Sequence, residues 1–451
     1  MKLSASGPNN LSRRDFLRLT GMAAAAQLLP WGWTEALAQT GEDYKALVCV
    51  FLLGGNDGNN MIVPLDAGSY AGYSAVRAAL ALQQDALASI SPPSQGGRPF
   101  GLHPALSDLA PLWQQGKLAV QCNVGPLIAP MTVTDYKNNR SLRPGSLFSH
   151  SDQQAQWQTS ESALISRTGW GGRIADRLSG ASGIPMILSL AGSSPFSAGA
   201  TTAPLALPSS GTFGLSGPAT VNGAPAVQSL LAMDRNNSLV DAASSVMQTA
   251  IGSAAVVNPV LNGPASAAMA GFSGLNSSVA RQLLAVAKLI EARRMLGGSR
   301  QIFFVSQGGY DTHSNQLVVQ NRLLAELGPA LAAFYKATEA LAIADKVTAF
   351  TASDFARTLR PASGGGTDHA WGNHQFVLGG SVRGGDFYGS FPTLALKGPD
   401  DVDGSGRWLP TTSVDQFAAT LATWFGVAAS DLPAVLPNLA RFQTGNLGFL
   451  V

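Results

Sequence analysis

The sequence has few charged residues, few histidines and few cysteines. Among 451 residues, 12% are charged, 5 are histidine and 2 are cysteine. Residues 1–38 carry four of the 29 basic side chains and two of the 27 acidic ones, which leaves 25 of each sign in residues 39–451. This lack of net charge argues against the basic surface that binding to nucleic acid or to an anionic membrane requires.

The amino-terminal segment has the pattern of an export signal. Residues 12–17, SRRDFL, resemble the twin-arginine (Tat) signature SRRxFL, and residues 36–38, ALA, have the small-residue pattern of a cleavage site. The apolar stretch between them, residues 17–29, is shorter than the roughly 20 residues that a membrane span needs. We therefore expect cleavage after Ala38 rather than an uncleaved anchor. The prediction is Tat export to the periplasm or the medium, with no membrane span in the mature chain.

The remaining chain predicts a single α/β domain over residues 39–451. Short apolar runs such as ALVCVFLLGG, KLAVQCNVG, RQIFFVSQGG and KVTAFTAS end in glycine or polar residues, as do strands buried on both faces of a mostly parallel sheet. Helical periodicity fills the intervals between them. Cys49 and Cys122 lie in two of these runs. An exported protein can form a disulfide, but the apolar setting favours two small core residues.

Residues from about 191 to 278 differ from the rest in composition. They are rich in serine, alanine, glycine and proline and contain few charges. We predict an insertion or lid over the sheet; the alternative is a loosely packed surface excursion without a role.

Polar side chains collect where the predicted strands end. Since ligand sites of open parallel sheets lie beyond the carboxyl ends of the strands, these residues are expected to meet at one edge. Four of the 5 histidines, His150 included, lie in such motifs, and only His103 lies elsewhere, at the start of a helix. The residues at the strand ends are Asp57, Asp311, His313, Asp354, Arg357, Asp368, His369 and His374.

Such a collection of carboxylates and imidazoles predicts a divalent metal site. Carboxylates placed together repel each other unless a cation lies among them. Aspartate oxygens with neutral imidazoles suit Zn, Mn or Fe, and an oxygen-rich set suits Ca or Mg. Each motif also has a simpler interpretation, since an aspartate such as Asp57 in a glycine-rich loop is commonly a turn former or a helix cap. The stretch GGNDGNN lacks the GxGxxG spacing and the P-loop lysine, which disfavours nucleotide binding.

The ordered motifs resemble a known family. VFLLGGNDGNN, FSHSDQQAQW, GGYDTHSNQ, SDFARTLRPASGGGTDHAWGNH and VRGGDFYG resemble those of Tat-exported bacterial proteins described as a domain of unknown function. That family is similar to the alkaline phosphatase and sulfatase superfamily. The resemblance implies a central sheet whose carboxyl edge carries two divalent metals and a serine or threonine nucleophile.

The resemblance also implies roles for individual residues, which are carried over motif by motif. Asp57 resembles the first metal-binding aspartate. Asp311 and His313 resemble the middle motif, although the superfamily usually separates that pair by more than one residue. Residues 366–369, GTDH, resemble the phosphopentomutase motif that supplies the last histidine, His369. Asp368 and His374 are further candidate ligands, or groups that orient His369.

One position departs from the superfamily pattern. Asp354 falls where an Asp-His pair is expected, but Phe355 follows it. We therefore predict one firmly held metal (Zn, Mn, Ca or Mg) and a second that is weakly held or missing.

The nucleophile is predicted to be Ser149 or Ser151, which precede a helix whose amino terminus would favour a developing anion; the alternative is a helix N-cap. Arg357 could clamp a tetrahedral oxyanion, or pair with Asp354 instead. The sequence thus predicts an exported metal-dependent hydrolase of a small-molecule or polymeric phosphate or sulfate ester. The alternative is a degenerate superfamily member that acts as a binding or assembly partner of another exported protein.

Overall fold

The computed structural model describes residues 43–163, 166–178, 183–214, 227, 229, 231–233 and 236–451. The predicted Tat signal, residues 1–38, lies outside the described residues, as does part of the predicted insertion at 191–278.

A nine-stranded sheet forms the centre of the fold, in the order β11-β5-β10-β9-β1-β8-β6-β7 with β12 also paired to β5, and β2, β4 and β3 form a separate three-stranded sheet. The strands are β1 Lys45–Leu53, β2 Ile62–Pro64, β3 Ala88–Ile90, β4 Phe100–Leu102, β5 Leu118–Gly125, β6 Ile187–Ser189, β7 Leu205–Ala206, β8 Arg300–Gly308, β9 Val347–Ser353, β10 Asn373–Gly379, β11 Phe387–Tyr388 and β12 Thr412–Ser413. The predicted α/β fold with a mostly parallel sheet is confirmed.

The direction of β10 decides what lies at the functional edge. β1 pairs in parallel with β8 and β9, whereas β10 is antiparallel to both β9 and β5. The carboxyl ends of β1, β8 and β9 therefore lie at the same edge as the amino end of β10. Residues that precede β10 are thereby placed beside residues that follow the other strands.

Helices cover both faces of the sheet. Along β1, Ala46, Val48 and Val50 pack into one apolar cluster, while Leu47 and Cys49 pack into another on the opposite face. This alternation explains why the strand is apolar throughout. The helices are Gly58–Met61, Ala67–Arg77, Ala110–Gln114, Val133–Asn138, His150–Thr159, Trp170–Leu178, Ser238–Asn262, Ser278–Glu291, Arg293–Leu296, Gln316–Ala340, Val414–Phe425 and Leu432–Val435.

Cys49 and Cys122 are both free and buried. β1 and β5 are separated by β9 and β10 in the sheet, so the two cysteines are at least three strand spacings, or about 14 Å, apart. A disulfide requires Cα atoms within roughly 7 Å of each other. The cysteines are therefore core residues, as the sequence indicated.

The described part of the segment 191–278 adds to the main core. β7 extends the sheet beside β6. The helix Ser238–Asn262 buries Val257 and Leu261 in the same apolar cluster as the sheet. Within the described ranges, this helix is the one long and apolar enough to cross a membrane by length and composition, and 22% of its most apolar window is buried. A single helix of this kind is weak evidence for a span.

Candidate metal centre

Three side chains converge at the edge of the sheet. His150, Asp311 and His369 each offer one ligand atom, and these atoms all lie within 4.8 Å of one another. The Oδ1 atom of Asp311 lies 3.4 Å from Nε2 of His150 and 3.3 Å from Nε2 of His369. In the part of the chain that the structure describes, this is the one group of three or more such residues that could hold a metal ion.

The topology brings the three residues together. Asp311 follows β8, and His369 precedes β10, which runs in the opposite direction. A backbone bridge between Arg357 and His369 joins the segment after β9 to the segment before β10. His150 is the first residue of the helix His150–Thr159, which contacts β9. Three segments that are far apart in the chain thus meet at one point.

Hydrogen bonds fix how the two imidazoles present their nitrogens. Nδ1 of His369 lies 2.7 Å from the carbonyl oxygen of Phe148, which can only accept, so Nδ1 carries the proton. Nδ1 of His150 likewise donates to the Oδ2 atom of Asp354 over 2.8 Å. In their neutral forms, both rings therefore present an Nε2 lone pair near the carboxylate of Asp311. Partners of this type are found behind metal-binding histidines.

The Nε2 atom of His150 is buried and has no hydrogen-bond partner among the described residues. A buried polar atom without a partner is costly and calls for an explanation. A cation between the two imidazoles and Asp311 would satisfy it.

Asp354 lies behind His150 rather than among the converging atoms. Its side chain is fully buried, and it accepts hydrogen bonds from the backbone N–H of Gly54 at 3.1 Å and from Nε2 of Gln154 at 2.7 Å. Together with His150, these donors engage both carboxylate oxygens. The structure therefore places Asp354, a predicted ligand, as a group that orients His150.

The electrostatics differ among the three members of the cluster. Although burial opposes ionisation of Asp311, the hydrogen bond and charge of Arg357 lower the pKa of that carboxyl. Burial lowers the pKa of His369, and the charge of Arg357 acts in the same direction. The hydrogen bond to Asp354 raises the pKa of His150, with burial opposing it. At neutral pH, Asp311 is thus an ionised carboxylate, and His369 is a neutral imidazole whose Nε2 atom could bind a metal ion.

The separations of the donor atoms also fit a metal ion. With metal–nitrogen and metal–oxygen bonds of about 2.1 Å, ligand atoms in a tetrahedral site lie about 3.4 Å apart. The distances from Asp311 Oδ1 to the two Nε2 atoms, 3.4 Å and 3.3 Å, agree with this value. Two of the three separations therefore match a tetrahedral site, and all three ligand atoms lie within 4.8 Å of one another.

His313 and Asp368, two other predicted ligands, border the cluster. Nε2 of His313 lies 2.9 Å from Asp311 Oδ1 and 2.9 Å from His369 Nε2. Oδ1 of Asp368 lies 3.5 Å from the other ring nitrogen of His313. The structure thus brings together Asp311, His313, Asp368 and His369.

Asp57 does not join them. Its buried carboxylate forms an ion pair with Arg77 at 2.6 Å and accepts a hydrogen bond from Gln316. It also accepts from the backbone N–H of Asn59 as the cap of the helix Gly58–Met61. The helix-cap alternative describes this residue, because its carboxylate caps the helix Gly58–Met61 and does not belong to the converging group.

His374 is a structural residue in β10. It is fully buried, its ring stacks on Phe391 at 4.7 Å, and its Nδ1 accepts the backbone N–H of Asn123 at 3.3 Å. Burial lowers its pKa to about 3. The residue is thus a neutral core histidine, and the structure does not bring it into the cluster.

The predicted catalytic groups also have other partners. Ser149 and Ser151 both donate a side-chain hydrogen bond to Asp152, at 2.6 Å and 3.2 Å. Ser149 stands at the N-cap position of the helix His150–Thr159 without capping it through its side chain. Arg357 is buried and donates to Asp311 at 2.9 Å, so its ion pair is with Asp311 instead of Asp354. Its remaining donors face Thr367 and Gly54.

His150 belongs to the cluster although it was not among the metal ligands predicted from the sequence. It lies between the two serines that were proposed as nucleophiles. The available signal was its presence in a motif, as one of the 5 histidines. The backbone carbonyl of Phe148, which fixes His369, carries no sequence signal at all.

The fold and the site define an α/β protein with a candidate metal centre at the edge of its central sheet. Residues 44–429 match a family described as "Protein of unknown function (DUF1501)". The chain belongs to this family, which confirms the predicted membership of a domain-of-unknown-function family.

No curated protein matches the chain significantly. Among solved structures, it is similar to the one titled "Crystal structure of Ps i-CgsB in complex with k-i-k-neocarrahexaose". The identity is 9%, the match covers 88% of this chain and 77% of that chain, and the TM-score is 0.31. A TM-score this low supports no conclusion about a shared fold or activity.

Proposed function

We propose that the protein is an exported, metal-dependent hydrolase of a phosphate or sulfate ester, similar in type to the alkaline phosphatases and sulfatases. The observation that carries the proposal is the convergence of His150, Asp311 and His369, with the buried Nε2 atom of His150 lacking a partner. Export through the Tat route rests on the sequence of residues 12–17 and 36–38.

His150, Asp311 and His369 would hold the ion. Two imidazoles and one carboxylate favour Zn or Mn over Ca or Mg, which prefer oxygen ligands. A divalent ion bound there would act as a Lewis acid towards an ester oxygen. Arg357 holds Asp311 in place, since its guanidinium is buried and already engaged. In this proposal it is a positioning residue, because its engaged donors are not free to bind an oxyanion.

Water is the proposed nucleophile. The hydroxyl groups of Ser149 and Ser151 are both directed to Asp152, and neither hydrogen-bonds a member of the cluster within the described ranges. The edge of the site is open to solvent, because the side chain of Asp311 is 45% exposed. A substrate anion and water can therefore reach it.

The test is a screen of purified protein, loaded in turn with Zn, Mn, Mg and Ca, against generic phosphomonoester, phosphodiester and sulfate ester substrates. We expect turnover with Zn or Mn, which His150→Ala abolishes and which Ser151→Ala, the neighbouring control, leaves within a few-fold. Absence of turnover with every pair, in protein that binds metal, would contradict the hydrolase proposal.

A second candidate is a catalytically degenerate member that uses the metal for structure while it binds or assembles with another exported protein. Phe355 favours it. Its ring lies 4.8 Å from the ring of His150 and 4.7 Å from that of His369, at the position where the superfamily resemblance implies an imidazole. Stabilisation by metal without turnover would support this candidate over the first.

A further inference from the structure

An uncharged pocket lies at the edge of the sheet opposite the candidate metal centre. Its volume is about 510 Å³, and none of the described residues that line it is charged. Its walls are the segments that precede β6 and β7 and one side of the helix Ser238–Asn262. The lining residues are 183–186, 201–205, Ser245, Val246, Thr249 and Ala250. Because β6 and β7 run parallel to β8 and β1, these segments lie at the amino edge of the sheet.

The helix that forms one wall exposes apolar side chains to solvent. Leu239 is 80% exposed and Val246 is 70% exposed, and the two lie seven positions apart on the same side of the helix. The 25 residues of this helix include a single charged side chain, Asp241. Grouped apolar side chains that face solvent mark a surface that binds another chain. The chemistry of the pocket and the helix therefore suits an uncharged, apolar segment.

The part of the chain that the structure describes begins near this pocket. Lys45 pairs with Arg300 at the start of β8, and the N–H of Ile302 donates to the carbonyl of Met186 at 2.9 Å. Met186 is therefore level with the first residues of β1, on the far side of β8. With strands about 4.8 Å apart, the distance across the sheet from β1 is about 10 Å to β6 and about 14 Å to β7. The residues before Asp43 are thus tethered at the edge that carries the pocket.

These preceding residues contain a segment of matching chemistry. Residues 19–34, LTGMAAAAQLLPWGWT, lie between Arg18 and Glu35 and carry no charge. Their largest apolar side chains include Trp31 and Trp33. Ten residues separate Trp33 from Asp43, and an extended chain of that length spans up to about 33–36 Å. The tether is therefore long enough to bring these side chains to the pocket.

We propose that the uncharged segment 19–34 of the export signal docks in this pocket before export. Because the contact is intramolecular, the effective concentration of the segment is of millimolar order, so even a weak intrinsic affinity suffices. Burial of a charge in an apolar pocket is costly, so Arg13 and Arg14 stay in solvent. The proposal goes beyond the hydrolase activity and depends on the predicted signal, not on the metal centre.

Docking links the state of the signal to the folding of the domain. The walls of the pocket come from residues 183–186, 201–205 and 245–250, which meet only after β6, β7 and the helix have assembled. A folded precursor holds the apolar segment on its own surface, whereas an unfolded precursor exposes it. The arginine pair remains accessible to the export machinery, which then competes with the pocket for the segment.

Acrylamide quenching of tryptophan fluorescence in the full-length chain tests the docking. Two of the 8 tryptophans, Trp31 and Trp33, lie in the segment. The other six are buried in the domain, so the difference between the full-length chain and residues 39–451 reports on these two. Circular dichroism and thermal melting check that each variant folds.

The test variant is Val246→Asp, which places a charge in the exposed wall of the pocket. Val318→Asp is the matched control. Val318 is 64% exposed on the helix Gln316–Ala340, which follows β8 and therefore begins at the opposite edge of the sheet.

We expect acrylamide to quench Trp31 and Trp33 less in the folded full-length chain than in the same chain in urea. Val246→Asp should lose this protection, because the pocket then presents a charge to an apolar segment. Val318→Asp should keep it.

Three results would overturn the docking. They are quenching in the folded wild type as strong as in urea, full protection in folded Val246→Asp, and protection that increases with protein concentration. The last would place the segment on a second copy of the chain. Metal binding and ester hydrolysis take no part in this measurement, so the docking and the proposed function can fail independently.

Discussion

At the scale of single residues, the candidate centre depends on groups that bind no metal themselves. Asp354 and the carbonyl of Phe148 each fix the tautomer of one imidazole. Phe355 packs against both rings. A residue's neighbours in space thus decide its role, and most of these neighbours are distant in the sequence.

Replacing Asp354 tests the orienting role. Asp354→Asn removes the charge that holds the Nδ1 proton of His150, and we expect metal affinity to fall by roughly 10- to 100-fold. Isothermal titration with Zn measures it. The control is Asp152→Asn. Asp152 lies on the same helix as His150, but its carboxylate accepts hydrogen bonds from Ser149 and Ser151, so the metal affinity should stay unchanged. Equal losses in both variants would contradict the assignment.

His374 should make stability depend on pH. In the folded protein its pKa is about 3, against about 6.5 in the unfolded chain. Between these values the unfolded state binds a proton that the folded state does not, so the free energy of unfolding falls as the pH falls. From pH 7 to pH 5 the wild type should lose about 2 kcal/mol more than His374→Asn. Urea unfolding of metal-free protein at both pH values measures the difference, and parallel losses would refute the prediction.

At the scale of elements, a buried ion pair joins two short helices. Asp57 starts the helix Gly58–Met61, and Arg77 ends the helix Ala67–Arg77. The sequence pattern predicted that Asp57 follows a strand. It could not predict that Arg77, 20 positions later, supplies the counter-ion of Asp57. The family resemblance implied that Asp57 binds a metal ion, whereas in this structure its carboxylate pairs with Arg77.

Breaking this pair should affect stability and leave metal binding intact. Asp57→Asn leaves Arg77 without a buried counter-ion and should lower the free energy of unfolding by roughly 3–5 kcal/mol. The folded variant should still bind one equivalent of Zn with wild-type affinity. Asp66 caps the helix Ala67–Arg77 and forms a solvent-exposed pair with Arg98, so Asp66→Asn should cost less than about 1 kcal/mol. Loss of Zn binding in folded Asp57→Asn would restore Asp57 as a ligand.

At the scale of the whole molecule, the sequence predicted the main strands and the edge at which they meet. β1, β5, β6, β8, β9 and β10 all coincide with apolar runs, because a strand buried on both faces must be apolar throughout. The sequence did not predict the antiparallel direction of β10 or the small second sheet, because both depend on pairing between distant segments. The same limit explains why His150 was missed.

The proposed metal ion should stabilise the fold as a whole. Its proposed ligands His150, Asp311 and His369 meet only in the folded state. Binding to that state alone should add about 2.7 kcal/mol at a Zn concentration 100 times the dissociation constant. Thermal melting with Zn and with chelator measures the shift. His369→Ala should show no shift, and a shift of equal size in that variant would place the ion elsewhere.

The position of β1 also constrains when the chain can fold during synthesis. This strand is the first among the described residues, yet its two neighbours in the sheet are β8 and β9, which begin at residues 300 and 347. The ribosome must therefore make about two thirds of the chain, up to residue 308 of 451, before β1 can pair with either neighbour. Contacts this distant along the chain slow folding and leave apolar surface exposed meanwhile. The nascent protein should need protection by chaperones, and the proposed Tat route would carry it as a completed fold.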